Sequence, residues 1–241
     1  MTDIFISDIH LSEENTELYS AFSRFLRQLD SGVERLYILG DLLEVAVGDD
    51  KSPLSKKLAA EFQLLAKRKI RVFFQAGNRD FMLGKKFAQM ADIELLPDYY
   101  LYEGAEEKIL LMHGDLLCTD DKPYLQFRRV VQNPAIKAIF RLLPLSTRRY
   151  IGRKLRSSST KSNSNKRPEI MDVNQSAVIK TMYKYRVNSL IHGHTHRPAV
   201  HSFKSDAIDS KRYVLGDWHD KLWWIESNSN GLSLHSETIS H

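Results

Sequence analysis

The chain has 241 residues, of which 42% are hydrophobic and 27% are charged, and its formal net charge is +5. These values are typical of a soluble globular protein and exclude a disordered or collagen-like chain. The single cysteine, Cys118, excludes an internal disulfide framework. No apolar run approaches the ~18 residues of a membrane span, and no basic segment precedes an apolar run at the N-terminus. We therefore expect neither a transmembrane helix nor a secretory signal.

Apolar strands alternate with amphipathic helices along the chain. The periodicity predicts, in order, a strand at 3–7, a helix at 16–29, a strand at 35–39, a helix at 55–69, strands at 70–76 and 108–112, a helix at 173–185, and strands at 189–192, 212–215 and 221–225. This order predicts an α/β fold in which helices cover the sheets.

The charge is concentrated in one segment. Residues 122–167, which we call the basic segment, carry +13 with no acidic residue, while the rest of the chain carries −8. Pro134 and Pro144 divide its amphipathic first half into short helices, and its polar stretch at 157–165 is predicted to be a loop. We interpret it as an insertion into a single domain spanning residues 1–241. A solvated helical hairpin, a cap that meets anionic lipid and a nucleic-acid-binding surface are all compatible with this composition.

Polar side chains follow five of the predicted strands. They are Asp8 and His10, then Asp41, then Asn78, Arg79 and Asp80, then His113, and finally His194 and His196, most of them beside a glycine. Because ligands bind at the carboxyl ends of strands in open α/β sheets, we expect these groups to converge. Asp, His and Asn together suit a borderline-hard divalent ion such as Mn, Fe or Zn, and they are numerous enough to hold two.

In this order and spacing the residues resemble the calcineurin-like metallophosphoesterase superfamily, whose pattern is DxH, GD, GN[HR][DE], H and GHxH. The resemblance spans residues 3–198 and implies a four-layer αββα sandwich with two divalent metal ions. We expect these ions to be Mn²⁺. It implies one metal site formed by Asp8, His10, Asp41 and His196, and a second formed by Asp41, Asn78, His113 and His194. Asp41 would bridge the two ions, and a hydroxide between them would attack phosphorus.

Arg79 stands where many members of this superfamily have histidine. Arginine stays protonated near neutral pH, so it cannot act as a general acid, but it can hold phosphate oxygens. We therefore expect a leaving group that needs no proton, such as the phosphate released from a pyrophosphate bond. The alternative is that Arg79 only anchors the substrate while His194 or water donates the proton.

The segments beside and between the motifs include residues 42–44, 48–50, 81, 114–121, 169–174 and 197–201. Together with the motifs they resemble a narrower family, the pyrophosphohydrolases that cleave UDP-2,3-diacylglucosamine in lipid A biosynthesis. The resemblance implies attack at the uridine-side phosphorus, with Asp41, Arg79 and His194 at the catalytic centre. Carried over by position, the substrate contacts would be Asn78, Arg79, Asp121, Ser159, Asn163, Lys166 and His194.

The same resemblance implies a lipid substrate and a peripheral location on the cytoplasmic side of the inner membrane. The basic segment would then be a helical cap whose apolar residues line an acyl pocket, with Arg141, Arg148, Arg149 and Arg153 facing lipid headgroups. We expect no nucleic acid and no obligate protein partner. The rival functions are a cyclic-nucleotide phosphodiesterase or phosphatase on the same metal site, a non-catalytic scaffold, and a nucleic-acid-binding module.

Overall fold

A computed structural model describes residues 2–49, 52–104, 107–164, 172–205 and 208–239, with the backbone alone at 160–164. Its strands are β1 (Thr2–Ile6), β2 (Val33–Leu39), β3 (Arg71–Gln75), β4 (Glu94–Leu96), β5 (Tyr100–Glu103), β6 (Lys108–Leu111), β7 (Ser189–His192), β8 (Ala199–Ser205), β9 (Ile208–Val214), β10 (Lys221–Asn228) and β11 (Gly231–Thr238). Its helices are α1 (Thr16–Gln28), α2 (Pro53–Lys67), α3 (Lys85–Ala91), α4 (Lys122–Val131), α5 (Pro134–Leu142), α6 (Leu145–Ser164) and α7 (Gln175–Tyr185).

The strands form two sheets. The first has six strands in the order β11-β10-β1-β2-β3-β4, and the second has five in the order β5-β6-β7-β9-β8. Strands β1 to β4 run parallel, as do β6, β7 and β9, so their carboxyl ends meet at common edges.

Three hydrophobic cores separate four layers. Buried residues of α1, α2 and α3 pack on one face of the first sheet, and residues of α7 pack on the outer face of the second. Between the sheets, Phe5 and Phe73 pack on either side of Tyr37 at ring-centroid distances of 5.0 and 4.6 Å. The predicted αββα sandwich is confirmed.

Several helix starts are visible in the sequence because a polar side chain caps the first turn. Asn15 accepts a hydrogen bond from the Leu18 amide, and Ser52 caps α2 just before a proline that is preorganised for the first helical position. The short elements α3, β4 and β5, and the edge strands β8 and β11, escaped prediction because they lack a sustained apolar period.

Helices α4, α5 and α6 lie within the basic segment, and we call these three helices the cap. Helix breaks occur at Pro134 and Pro144, as predicted. The predicted loop at 157–165 is wrong, because α6 continues to Ser164. The stretch contains no glycine or proline, and its serines and its one threonine disfavour a helix only modestly, so a helix already nucleated at Leu145 extends through it.

Arg148 is also corrected by the structure. It is 9% exposed, and its guanidinium donates to the carbonyl oxygens of Val47 at 2.8 Å and Leu143 at 3.0 Å. Arg148 therefore anchors α6 to the body of the domain instead of facing headgroups. Among the helices in the described ranges, none combines the length and the apolar character needed to cross a bilayer.

Candidate active site

The predicted ligands lie in the loops that follow β1, β2, β3, β6 and β7. Five of them adopt a left-handed backbone conformation, with φ between 54° and 69°: Asp8, His10, Asp41, His194 and His196. Non-glycine residues rarely adopt this conformation, and they persist in it where the surrounding structure fixes them. The turns at the strand ends therefore have a strained backbone that fixes the direction of these side chains, and strained backbone of this kind is common at functional sites.

One group of side chains consists of Asp8, His10 and His196. The Nε2 atoms of the two imidazoles are 3.3 Å apart, and Asp8 Oδ1 lies 3.4 Å from His196 Nε2 and 3.9 Å from His10 Nε2. Three potential ligand atoms thus face one point, which is the arrangement of a cation site.

A second group is built around Asn78 and Asp41. His113 Nε2 and His194 Nδ1 each lie 2.9 Å from Asn78 Oδ1, and His113 Nε2 lies 3.8 Å from Asp41 Oδ1. The other ring nitrogen of His113 donates to the carbonyl oxygen of Leu39 at 2.9 Å, which fixes the tautomer that leaves Nε2 open to a metal.

The two groups are contiguous. Among the described residues, carboxylates and imidazoles form two clusters, one of Asp8, His10 and His196 and the other of Asp8, Asp41 and His113, so Asp8 is the shared carboxylate. Close backbone packing makes this possible, because a Cβ on Gly193 would lie 2.1 Å from Asp8 Oδ2. The bridging role of Asp41 stays a prediction.

The site brings together buried ionisable groups whose pKa values are shifted in both directions. Burial lowers the pKa of His10 to about 3 and of His194 to about 4, so both imidazoles are neutral. Burial opposes ionisation of Asp8, yet its contact with His196 and the charge of neighbouring histidines hold the carboxyl pKa well below its usual range. Burial, reinforced by the nearby Asp80 carboxylate, raises the pKa of Asp41 to about 7 despite the opposing effect of His113. Neutral imidazoles and ionised carboxylates are the metal-binding forms, so a cation would also have to displace the protons that the raised pKa values of Asp41, His113 and His196 favour.

Further support comes from an unsatisfied oxygen. Asp8 Oδ1 is buried and accepts no hydrogen bond from the part of the chain that the structure describes, although buried polar atoms are normally paired. It points toward the two histidines of its group, so a bound cation would complete its coordination. The residues present therefore fit divalent metal ions.

Arg79 borders this site. Its backbone amide donates to Asp41 Oδ1 at 2.9 Å, and its Nε lies 3.3 Å from Asp41 Oδ2. The other end of its guanidinium donates to Glu44. The side chain is held between two carboxylates at the rim of the metal site, where it can meet an anionic substrate.

A cavity of about 860 Å³ opens from the site toward the cap. One end is lined by Asp41, Asn78, Arg79, His194 and His196. The part of the lining that comes from the cap and from the loops after β2 and β3 is mainly apolar and includes Val45, Val47, Phe81, Met82, Phe127, Val131, Ile136, Phe140, Ile151 and Leu155. One ligand could thus place a charged group at the metal site and hydrocarbon under the cap.

Comparison with known proteins gives the family. The model of the calcineurin-like phosphoesterase family matches residues 1–198. The chain belongs to this family. The predicted superfamily is confirmed, and the site described above occupies the matched region of a phosphoesterase.

Curated relatives cover nearly the whole phosphoesterase. A UDP-2,3-diacylglucosamine hydrolase from Pectobacterium carotovorum is 44% identical over 98% of this chain and 99% of its own length. A protein of the same name from Tolumonas auensis is 43% identical over 100% and 98% of the two chains. A third, from Escherichia coli O9:H4, is 44% identical over 97% and 98%. The similarity extends through the cap.

Of the four substrate contacts predicted outside the metal site, two lie on the cavity wall and two have side chains outside the described residues. Asp121 and Ser159 line the cavity, and Asp121 also caps α4 by accepting from the Tyr124 amide at 3.2 Å. Asn163 lies in α6 but its side chain is outside the described residues, as is all of Lys166. These two assignments stay predictions.

Asp80 and Asp115 hold together the loops around the site. The Asp80 carboxylate accepts from the amides of Leu42 at 2.7 Å and Gly77 at 2.8 Å, so it ties together the loops after β2 and β3. Asp115 accepts from Tyr124 Oη at 2.5 Å and from Arg128 Nε at 2.6 Å. Asp115 thereby fastens the start of the cap to the β6 end, next to the site.

Sequence reasoning missed Asp217. Its Oδ2 lies 3.4 Å from His196 Nδ1, and this contact, together with Asp8, raises the pKa of His196 to about 10 despite its burial. The signal was present, because Gly216 and Asp217 follow β9 as Gly40 and Asp41 follow β2. Such a carboxylate orients a metal-binding histidine from behind.

Two cavity residues were also missed. The ring of Tyr124 lies nearly parallel to that of His194, with centroids 6.2 Å apart. Arg156 reaches from α6 to Glu44 at the edge of the metal site. The positions of these two side chains depend on how the cap packs on the domain, and no local sequence pattern predicts that packing.

Proposed function

We propose that this protein hydrolyses the pyrophosphate bond of UDP-2,3-diacylglucosamine, giving UMP and 2,3-diacylglucosamine 1-phosphate, a step of lipid A biosynthesis. The observation that carries the proposal is the single cavity that joins the metal site to an apolar chamber under the cap. A phosphodiesterase for small cyclic nucleotides has no use for such a chamber. The names of the full-length relatives agree with this substrate.

We propose Mn²⁺ as the metal, because the donor set combines carboxylate and amide oxygen atoms with imidazole nitrogen atoms. Two such ions, when bound, would lower the pKa of water to about 7 and neutralise charge on the reacting phosphate. The assigned ligands are Asp8, His10, Asp41, Asn78, His113, His194 and His196. His194 also faces the cavity, where it can contact the substrate phosphate.

Arg79 has the chemistry that a pyrophosphate requires. Its positive charge can stabilise negative charge on phosphate oxygens, and an arginine side chain does not act as a general acid. The departing 1-phosphate has a second pKa of about 6 and needs no proton to leave at neutral pH. In the balanced reaction, water adds to the uridine-side phosphorus as the bond to the bridging oxygen breaks. The bridging oxygen stays with the sugar phosphate.

The cap would hold the rest of the substrate. Phe127, Ile136, Phe140 and Leu155 line the apolar end of the cavity, which suits acyl chains. Asp121 and Ser159 lie on the cavity wall, where they can bond to sugar hydroxyl or amide groups. Asn163 and Lys166 are proposed contacts on the resemblance alone.

We further propose that the cap docks on the anionic cytoplasmic face of the inner membrane. Its outer surface exposes apolar side chains, with Leu142 at 85%, Tyr150 at 66% and Ile139 at 61%. Arg149 and Arg153 are exposed on the same helix as Tyr150. Basic residues attract anionic lipid, while apolar ones insert between headgroups, and an acylated substrate must be drawn from such a surface.

The test is hydrolysis of UDP-2,3-diacylglucosamine by the Mn²⁺-loaded protein in ¹⁸O-water with detergent, followed by mass spectrometry. The proposal expects one ¹⁸O atom in UMP and none in the sugar phosphate. Asp41→Asn serves as the inactive control. Hydrolysis of bis(p-nitrophenyl) phosphate or a cyclic nucleotide, without turnover of the lipid, would refute the substrate while leaving the metal site intact.

A further inference from the structure

Glu44 joins two arginines that come from different parts of the molecule. One of its carboxylate oxygens, Oε2, accepts from Nη1 of Arg79, and the other, Oε1, accepts from Nε of Arg156. Arg79 belongs to the loop after β3, while Arg156 lies on α6 of the cap. All three side chains line the cavity.

The Arg79 guanidinium has little freedom in this arrangement. Its Nε faces Asp41 Oδ2 at 3.3 Å, and its Nη1 is bound by Glu44 on the other side. Since the guanidinium is planar, two carboxylates at separate positions on its edge fix both its place and its orientation. The Arg79 side chain is 17% exposed, so solvent does little to loosen it.

Glu44 is itself held by the cap. Its side chain is 31% exposed and would otherwise sample several rotamers. The Arg156 contact restrains the carboxylate from the side opposite Arg79. A chain of charge-assisted hydrogen bonds thus runs from α6 through Glu44 to the arginine at the metal site.

We infer that Glu44 is a positioning residue that sets the Arg79 guanidinium for catalysis, and that Arg156 makes this positioning depend on the place of the cap. This inference rests on the proposed function for the identity of the substrate, and it assigns two further residues a role at the same site. It predicts that a substitution in α6 lowers kcat, even for a substrate too small to reach the apolar chamber.

The test is a set of double-mutant cycles on kcat at saturating Mn²⁺, with UDP-2,3-diacylglucosamine and with bis(p-nitrophenyl) phosphate. We expect Glu44→Ala to lower kcat about ten-fold on both substrates, and Arg156→Ala about three-fold. If Arg156 acts through Glu44, adding Arg156→Ala to Glu44→Ala causes no further loss. If Glu44 acts through Arg79, adding Glu44→Ala to Arg79→Ala also causes none.

Glu44 has a second neighbour that must be separated in this experiment. Its Oε2 lies 3.6 Å from His10 Nδ1, so its loss could act on metal binding instead. We expect the kcat of Glu44→Ala to stay low when Mn²⁺ is raised, with metal content and melting temperature unchanged. Recovery of kcat at high Mn²⁺ would overturn the inference. Glu44→Gln, which keeps one oxygen acceptor, should retain more activity than Glu44→Ala.

A matched pair controls for the loss of an arginine–glutamate contact as such. Arg71 Nη2 and Glu94 Oε1 are 2.6 Å apart on the exposed surface, and neither residue lines the cavity. Arg71→Ala and Glu94→Ala should leave kcat unchanged. Multiplicative losses in either cycle at Glu44, or a wild-type kcat in Glu44→Ala, would overturn the inference.

The two substrates separate this inference from the proposed function. If the wild-type protein fails to hydrolyse the lipid but hydrolyses the diester, the proposed substrate is wrong, and the cycles on the diester still decide the role of Glu44. If the lipid is hydrolysed and the cycles are multiplicative, the proposed function stands without the positioning device.

Discussion

Gly152 packs against Val47 so closely that a Cβ on the glycine would lie 2.7 Å from Val47 Cγ1 and 3.1 Å from Val45 Cγ1. This contact seats α6 on the loop after β2. Arg148, one turn earlier in α6, donates to the Val47 carbonyl oxygen. The loop that carries Asp41 therefore also forms the surface on which the cap packs.

Gly152→Ala should unseat α6. Overpacking of this kind costs about 1–3 kcal/mol, and 1 kcal/mol corresponds to about a five-fold change in an equilibrium constant. We expect KM for the diacyl substrate to rise at least about five-fold. Steady-state kinetics on Gly152→Ala, Val47→Ala and the double variant check this. In the double variant the alanine at position 47 leaves room for the new methyl group at position 152, so KM should return toward the wild-type value. The explanation fails if Gly152→Ala is as harmful in the Val47→Ala background as in the wild type.

Removal of exposed arginines from the cap should weaken membrane binding. Each basic residue near an anionic surface contributes about 1 kcal/mol, so Arg149→Ala with Arg153→Ala should lower the partition coefficient about thirty-fold. Sedimentation with phosphatidylglycerol vesicles measures this, and added salt should weaken the binding of the wild type. Arg24→Ala with Lys57→Ala, two exposed positions on α1 and α2, should bind as the wild type does. Equal sedimentation of both double variants would exclude docking by the cap.

Asp217→Asn should weaken the metal site. The contact of Asp217 with His196 orients the imidazole, and loss of such a partner typically costs about 10–100-fold in metal affinity or activity. We expect activity to require more Mn²⁺ and to recover when it is supplied. Asp220→Asn, an exposed neighbour, should keep the wild-type Mn²⁺ dependence. Unaltered metal affinity in Asp217→Asn would show that His196 needs no such partner.

His192 should make stability depend on pH. Its Nδ1 donates to the Gly193 carbonyl oxygen at 2.8 Å, and its Nε2 accepts from Arg212 Nη1 at 3.1 Å, so the buried ring is neutral. Burial, with the charge of Arg212, lowers its pKa to about 3. The unfolded chain binds a proton near pH 6.5, so stability is complete above that pH and falls as the pH drops toward 3.

Between pH 7 and 5.5 this residue should account for a loss of about 1 kcal/mol in the free energy of unfolding. Urea unfolding of the metal-free wild type and of His192→Asn measures the difference. The variant is expected to be less stable at pH 7 but to have a shallower pH dependence. Parallel pH profiles for the two proteins would contradict the assignment of a neutral buried imidazole.

The sequence was sufficient for the layers and for the ligand positions because both depend on local patterns. Apolar strands with alternating helices define the sandwich, and each ligand follows the end of its own strand. Asp8, His10 and His196 therefore converge as predicted, although the bridging role of Asp41 could not be derived from order alone. Which oxygen lies between two ions depends on turns that bring separate loops within a few ångströms.

Contacts made by the cap were beyond the reach of local reasoning. Arg148 and Arg149 are adjacent in a basic helix, and only the packing of that helix buries one and exposes the other. The polar composition at the end of α6 predicts a loop, because serine and asparagine side chains hydrogen-bond to nearby backbone groups and so compete with helix formation. Asp217 was missed for a different reason, since a single Gly-Asp after a strand is usually just a turn.

The left-handed backbone at Asp8, His10, Asp41, His194 and His196 has a consequence for the evolution of this protein. Each position is conformationally unfavourable for a residue with a side chain, by about 1–2 kcal/mol or somewhat less for aspartate. Glycine would relieve that strain, so replacements that abolish metal binding should make the metal-free fold more robust. Selection for stability and selection for chemistry thus act in opposite directions on the same five codons. A lineage that lost the need for this reaction would be expected to lose these residues first.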